Sequence, residues 1–265
     1  MGNKSIYIIY FKKIDIYLYY LVIVYNYYKY IMLYEFKQPG ETMNKFVERV
    51  KEKHNIKKLG YTARLDPMAR GIVPFVVDNE CIKINEKLGT NKIYQVKIIF
   101  GIQTDTDDPL GLITNQTDKP IEKTKDIIEV IIKYLNSINK TSFNQKYHYF
   151  STKMLNHRRQ KIKDAVDNHN VSLHNYLILN EGNFNYDIWK NKIIKQINLI
   201  DKTKNFRQAE TIKQWNNLDM KELFYVKLKL TVSSGFFIRQ LIKDISEYIN
   251  IPLMCYNINR IETFL

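Results

Sequence analysis

The sequence predicts a mixed α/β protein, because segments with the two-residue period of strands and segments with the helical period follow one another. Over 224–232 every second residue is apolar, which is typical of a strand with one buried face. A shorter alternation covers 94–100. Apolar residues recur at spacings of three and four over 125–138 and 238–249, and this predicts two amphipathic helices.

The chain before these segments adds a strand, a turn and a helix. From Leu33 an apolar stretch leads into the Pro39-Gly40 turn, and Thr42 is a suitable cap for the helix that follows. The apolar residues of that helix recur at helical spacing up to Val50. Further along, 72–77 is continuously apolar and predicts a buried strand.

Residues 1–31 differ from the rest and are crowded with Tyr, Ile and Lys. The apolar run 16–25 is too short to cross a bilayer, and no small-residue cleavage site follows it. An extension with little structure, a membrane-surface segment and an extra strand all fit the composition. We favour the first, with 32–265 as one folded domain, because Met32 is a plausible alternative start.

Composition indicates a globular protein with a polyanionic partner. Hydrophobic residues make up 45% of the 265 residues, which excludes a disordered chain. The formal net charge of +14 favours nucleic acid or an anionic membrane surface. A solvated basic surface rich in Lys is the alternative.

Cysteine and histidine usage points away from disulfides and metals. Cys81 and Cys255 cannot form a disulfide framework, and a reducing compartment, the cytoplasm, is expected. The histidines have no metal-ligand spacing, so we interpret them as surface or RNA-facing groups and predict no metal. They are His54, His148, His157, His169 and His174.

The segment 58–74 concentrates the residues that bear chemistry. Asp66 is its only acid and stands near Arg64 and Arg70. Cations stabilise a carboxylate in its ionised form, which is the form that a nucleophile or a base needs. The Asp66-Pro67 pair is also a common helix start, with the Asp as cap and the Pro in the first helical position.

The segment resembles the catalytic motif of the TruB-type tRNA pseudouridine synthases, a Gly-His-Thr-Gly-Thr-Leu-Asp-Pro-Leu-Ala-(small)-Gly-Val-Leu-Pro pattern. Eight positions match it in place: Gly60, Thr62, Leu65, Asp66, Pro67, Ala69, Gly71 and Pro74.

Two further motifs resemble the same family in the same chain order. Lys92-Ile93-Tyr94, the strand after it and the Thr-Asp loop 103–108 are similar to its Lys-x-Tyr strand and Gly-x-x-Thr-Asp-Thr-x-Asp loop. The segment 234–244 is similar to its Ser-x-Gly-Thr-Tyr-Ile-Arg-Ser-Leu-x-x-Asp motif. The resemblance implies a pseudouridine synthase fold, a mixed α+β domain with a long, mostly antiparallel central sheet flanked by helices.

The resemblance also implies the reaction, which is isomerisation of uridine to pseudouridine at position 55 of the tRNA T-loop, without cofactor. Asp66 acts as the nucleophile, or stabilises and deprotonates the sugar intermediate. Arg239 pairs with Asp66, although from its pattern alone Arg239 lies with Lys243 on the solvated face of its helix. Tyr94 stacks on the uracil and serves as a base.

RNA contacts are predicted from a further set of residues. Within 141–180 aromatic residues alternate with cations, a pattern that fits an RNA-contacting segment and a solvated helix and loop equally well. Ser151-Thr152-Lys153 resembles the family's Ser-Ala-Lys, and the resemblance implies an RNA-contacting insertion here. The predicted RNA-binding residues are Lys58, Tyr61, Thr62, Arg64, Lys92, Ser151, Lys153, Arg158 and Phe237.

Departures from the family pattern define the alternatives. Tyr61 replaces the His, Ala63-Arg64 replaces Gly-Thr, and Phe237 replaces a Tyr. A catalytically weak RNA-binding protein on the same scaffold is therefore the second hypothesis, and a membrane protein tethered by 1–31 is the third. We expect a monomer that binds the T-arm of tRNA or another structured RNA, with no membrane association and no C-terminal PUA domain.

Overall fold

The computed structural model describes residues 32–87, 89–118, 121, 125–150, 152–155, 158–161 and 168–263. The backbone alone is described at 83, 85–87, 125, 152–155 and 158–161. The predicted extension 1–31 lies outside the described residues.

Twelve strands and five helices occur in the described part of the chain. The strands are β1 Met32–Lys37, β2 Leu59–Tyr61, β3 Arg70–Val77, β4 Lys92–Phe100, β5 Ile102–Thr104, β6 Ile113–Gln116, β7 Ser142–Lys146, β8 Thr152–Leu155, β9 Arg158–Lys161, β10 Asn168–Asn185, β11 Glu222–Val232 and β12 Leu253–Thr263. The helices are α1 Met43–His54, α2 Lys125–Ile138, α3 Tyr186–Leu199, α4 Gln208–Asn217 and α5 Ile238–Ile249, and a 3₁₀ segment covers Asp78–Lys87.

Eight of the strands form one long sheet in the order β1-β3-β12-β4-β11-β10-β7, with β2 paired to β3. The β3–β12 pair is parallel, and the other pairs among these described strands are antiparallel. The predicted mixed fold with a mostly antiparallel central sheet is therefore confirmed. The remaining described strands form two hairpins, β5-β6 and β8-β9.

The predicted helices and strands form for the expected physical reasons. The Thr42 hydroxyl accepts a hydrogen bond from the Lys45 amide, at 3.3 Å, and so caps α1. Met43, Phe46 and Val50 are the buried residues of that helix. Over β11, alternate side chains are buried as the two-residue period predicts.

Helices cover both faces of the sheet. Helices α1, α2 and α5 share one apolar cluster with the β4 residues at 94, 96, 98 and 100. Successive side chains on a strand point to opposite faces, so Ile99 belongs to a second cluster, with α3 and α4. Trp189 and Trp215 are buried in this second core, within the polar stretch 181–220, for which the sequence analysis predicts no element.

Gly71 lets the start of β3 lie against β12. Its φ is +133°, and a Cβ there would overlap the backbone of Arg260. We predict that Gly71→Ala lowers the free energy of unfolding by about 3 kcal/mol, because it adds backbone strain to a steric overlap. Urea unfolding measures the difference.

Gly89→Ala is the matched control. Gly89 also has a positive φ, +92°, but a Cβ added there would meet no atom of the described residues within 4 Å. Only the cost of the backbone conformation applies there, about 1 kcal/mol. An equal decrease in the free energy of unfolding of Gly71→Ala and Gly89→Ala would contradict the explanation that a Cβ at position 71 overlaps the backbone of Arg260.

Candidate active site

A cleft of about 1020 Å³ is lined by residues 64–67 and 69 of the Asp66 segment. Five of the predicted site residues line it: Arg64, Asp66, Tyr94, Phe237 and Arg239. The structure thus brings together one acid, one phenol and one guanidinium from β4, α5 and the loop before β3. The apolar residues that line the same cleft include Leu65, Phe236 and Ile258.

The predicted ion pair between Asp66 and Arg239 is present. Arg239 Nε lies 2.9 Å from Asp66 Oδ2. The Arg239 side chain is 6% exposed, whereas that of Asp66 is 40% exposed. The cation is therefore fixed inside the protein, and the carboxylate is accessible from the cleft.

Arg239 is held from a second side by the loop after β5. Its Nη1 donates to the Thr106 carbonyl oxygen at 3.0 Å and lies 3.7 Å from Asp108 Oδ2. Burial alone would lower the pKa of Arg239, but the carboxylates of Asp66 and Asp108 raise it above its usual value. The pattern-based interpretation of Arg239 as a solvated residue is wrong, because these acids compensate its burial.

The start of α5 is positioned by a side chain from β7. Gln145 accepts a hydrogen bond from the Phe237 amide at 2.8 Å and donates one to the Phe237 carbonyl at 3.0 Å. Gln145 is itself buried, so this double contact ties α5 to the edge of the sheet. Arg239 follows two residues later and consequently enters the cleft at a fixed position.

Asp108 lies in the site but was not among the predicted site residues. Its Oδ1 accepts hydrogen bonds from the Thr106 hydroxyl and the Leu110 amide, at 2.8 and 2.9 Å. Burial raises its pKa, and the Arg239 guanidinium opposes that rise. The signal available in the sequence was the Thr-Asp repeat of the loop 103–108.

His148 corrects the interpretation of the histidines as surface groups. It is 2% exposed, and its Nε2 lies 3.0 Å from Asp107 Oδ2. Burial and the nearby Arg239 lower its pKa, which favours the neutral ring. The sequence pattern around 148 is polar and basic and gave no sign of this burial.

The Asp66 segment is a turn and not a helix start, so the capping interpretation is wrong. The Ala69 amide donates to the Asp66 carbonyl at 3.0 Å, and β3 begins at Arg70. Two buried cations hold this turn by its backbone. Lys37 Nζ donates to the carbonyl oxygens of Asp66, Pro67 and Ala69 at 3.1, 3.2 and 2.8 Å.

Arg260 is the second of these cations. Its guanidinium donates to the carbonyl oxygens of Ile72, Arg64 and Ala63 at 2.8, 3.0 and 3.5 Å. Burial lowers the pKa of Lys37 to about 7, and Arg260 adds to that effect while Glu41 and Asp66 oppose it. Neither cation was among the predicted site residues, because both act on backbone far away in sequence.

The other predicted RNA-binding residues lie elsewhere. Tyr61 packs against the main core, and Thr62 bonds to the Pro74 carbonyl. The Lys58 amide donates to Asp78, and Lys92 is buried with its ammonium on the Thr90 carbonyl. Ser151 lies outside the described residues, as do the side chains of Lys153 and Arg158.

Neither a metal cluster nor a membrane span is found in the described parts of the chain. No group of three or more His, Cys, Asp or Glu residues in those ranges is arranged to hold a metal ion. None of the described helices combines the length and the apolar character that crossing a bilayer requires.

Comparison with solved structures shows a shared fold. A chain of the crystal structure of a Cbf5-Nop10-Gar1 complex superposes on this one with a TM-score of 0.50 over 88% of this chain and 48% of that chain. The sequences are 14% identical, so the likeness concerns the fold.

The family follows from the sequence. The model for the TruB family pseudouridylate synthase (N terminal domain) matches residues 51–187, just over half of the chain. The chain therefore belongs to the TruB family, and the resemblance seen in its motifs is confirmed.

Two relatives of the chain carry the same name. The chain is 26% identical over 227 residues to the tRNA pseudouridine synthase B of Malacoplasma penetrans, which covers 85% of this chain and 82% of that protein. It is 34% identical over 102 residues to the protein of the same name from Pelotomaculum thermopropionicum. That match covers 38% of this chain and 32% of the relative's length.

Lys37 provides a test of how the Asp66 turn is held. Lys37→Met keeps the apolar stem and removes the donor, which leaves buried carbonyl oxygens without that partner. We predict a loss of about 1–3 kcal/mol in the free energy of unfolding, measured by urea denaturation.

Lys53→Met is the control for this substitution. Lys53 pairs with Glu35 at 2.7 Å, but its side chain is 56% exposed. Its removal is expected to cost less than about 1 kcal/mol. A Lys37→Met protein as stable as the wild type would contradict the proposed role of Lys37.

Proposed function

We propose that this protein isomerises uridine to pseudouridine in tRNA, with Asp66 as the reactive carboxylate. The observation that carries the proposal is the Asp66–Arg239 ion pair, which lies in a cleft lined also by Tyr94. Membership of the TruB family and the name shared by the relatives support the same reaction.

The geometry suits a reaction at the sugar. The bond between N1 of uracil and C1′ of the ribose breaks, the uracil turns, and its C5 bonds to C1′. Asp66 acts at C1′ as a nucleophile, which an accessible and ion-paired carboxylate is able to do. The proton lost from C5 is balanced by the proton gained at N1, so the isomerisation consumes no co-reactant and we propose that it uses no cofactor.

Arg239 and Tyr94 have supporting roles in this proposal. Arg239 is a positioning residue, since its buried guanidinium orients the carboxylate through a charge-assisted hydrogen bond. Tyr94 is 7% exposed at the floor of the cleft and stacks on the uracil. It also accepts the C5 proton during the rearrangement.

The proposed substrate is uridine 55 in the T-loop of tRNA. A base can reach the Asp66 carboxylate only after it leaves its stack, at a cost of a few kcal/mol. The net charge of +14 favours the phosphate contacts that offset this cost. We assign this activity to the domain 32–265, acting as a monomer in the cytoplasm.

Asp66→Asn tests the proposal. The amide keeps the shape of the side chain and removes its charge, so we predict a rate of pseudouridine formation below about one thousandth of the wild-type rate. Asp108 stays beside Arg239 as a partner, so the fold and the RNA affinity are kept. The measurement is pseudouridine mapping of a tRNA transcript, with filter binding in parallel.

Asp78→Asn is the matched control, because Asp78 is not among the cleft residues and should leave the rate unchanged. A wild type that binds tRNA but forms no pseudouridine in any tRNA would support the alternative, an inactive RNA-binding protein. An Asp66→Asn variant with full activity would overturn the assigned role of Asp66.

A further inference from the structure

One wall of the cleft comes from a segment that the motifs do not cover. The 200–207 segment connects α3 to α4, and four of its residues line the cleft together with Asp66: Lys204, Asn205, Phe206 and Arg207. It lies beyond residues 51–187, where the family model matches. Its place in the cleft therefore follows from the structure and not from the motifs.

The 200–207 segment is fixed to the loop that holds Arg239. Arg207 donates to both carboxylate oxygens of Asp105, at 2.5 and 3.1 Å. One turn into α4, the Thr211 hydroxyl donates to the Leu110 carbonyl at 3.1 Å, and the Trp215 indole donates to the Pro109 carbonyl at 3.0 Å. The segment and the Asp108 loop therefore form one unit.

The other end of the segment is fixed to the Asp66 turn. A Cβ on Gly40 would lie 2.5 Å from the Gln196 carbonyl oxygen, so α3 closely approaches the backbone there. The Gly40 amide in turn donates to the Pro67 carbonyl at 2.9 Å. Ile200 belongs to the same apolar cluster as Met68, two residues after Asp66. The wall is thus positioned from both sides of the proposed active site.

Three of the cations that line the cleft, Arg239, Arg207 and Lys204, differ in their surroundings. Arg239 and Arg207 are ion-paired with Asp66 and Asp105. Lys204 is exposed and lines the cleft. In the same segment, the Asp201 carboxylate accepts hydrogen bonds from the Thr203 amide and hydroxyl, at 2.9 and 2.8 Å. These bonds lower the pKa of the exposed Asp201 carboxyl, and the charge of Lys204 adds to that effect. Lys204 is therefore placed to meet an anion that enters the cleft.

Exposed aromatic rings lie in the same wall. Tyr149 is 60% exposed and Phe150 is 43% exposed, and both line the cleft. The Arg207 guanidinium carbon lies 5.6 Å from the centre of the Phe150 ring. Cations beside exposed aromatic rings are typical of surfaces that bind single-stranded nucleic acid, where bases stack and phosphates meet the charges.

We propose that Lys204 binds a backbone phosphate of the substrate RNA next to the target uridine, on the wall formed by the 200–207 segment with Tyr149 and Phe150. The inference rests on the proposed function for the identity of the target nucleotide. Lys204 itself lies outside the motifs and outside the predicted insertion 141–180, which supplies Tyr149 and Phe150 to the same wall.

The test compares Lys204→Ala with Lys202→Ala. Lys202 is an exposed lysine of the same segment that is not among the cleft residues. Binding of a tRNA transcript is measured from 50 to 200 mM KCl. Lys204→Ala is expected to weaken binding and to reduce the slope of log K against log [salt] by about 1, and Lys204→Arg to restore it. Lys202→Ala keeps the wild-type slope.

The outcomes separate this inference from the proposed function. If the wild type forms pseudouridine while Lys204→Ala and Lys202→Ala share the wild-type slope, the phosphate contact is refuted and the enzyme stands. If the wild type forms no pseudouridine but the slope of log K against log [salt] is reduced in Lys204→Ala and not in Lys202→Ala, the phosphate contact stands and the proposed reaction is refuted. Thermal unfolding midpoints equal to that of the wild type in Lys204→Ala, Lys204→Arg and Lys202→Ala exclude a folding defect as the cause of weaker binding.

Discussion

The buried guanidinium of Arg239 is the group on which the arrangement of this site depends. A charge taken out of water is tolerated only with partners, and here two carboxylates and a carbonyl oxygen supply them. Asp66 comes from the loop before β3, and Asp108 comes from the loop after β5. Compensating one cation therefore brings two distant loops to the start of α5, and the cleft forms where they meet.

Backbone contacts then fix the Asp66 turn without covering the Asp66 carboxylate. Lys37 and Arg260 bind the carbonyl oxygens of residues 63–72, so that the turn is held from beneath while the Asp66 carboxylate stays accessible. The loop that contains Asp108 is held by the α3–α4 pair. Trp215 of α4 donates to the Pro109 carbonyl, and Arg207, just before α4, donates to Asp105. A reactive group held in place before the substrate arrives loses less freedom on binding, which favours catalysis.

Periodicity predicted the elements that have one buried face, and it missed what long-range contacts decide. The strands over 94–100 and 224–232 and the helix 125–138 formed as predicted, because their apolar residues repeat at the period of the structure. The burial of Arg239 and His148 was not predicted, since their partners lie 173 and 41 residues away, at Asp66 and Asp107. The α3–α4 pair also escaped prediction, because its core depends on two tryptophans in a polar stretch. Asp66, Tyr94 and Arg239 were predicted by motif resemblance to share one site, and all three line the cleft. The cleft wall over 204–207 and the cations behind the Asp66 turn were not predicted.

The most direct test of the account is the single-turnover rate of Arg239→Lys with tRNA, measured at excess enzyme. A lysine keeps the charge but cannot bridge Asp66, Asp108 and the Thr106 carbonyl together, because it is a point charge and not a planar fork. The account predicts a rate of pseudouridine formation lower by about 100-fold, with RNA affinity close to that of the wild type. A rate equal to that of the wild type would contradict it.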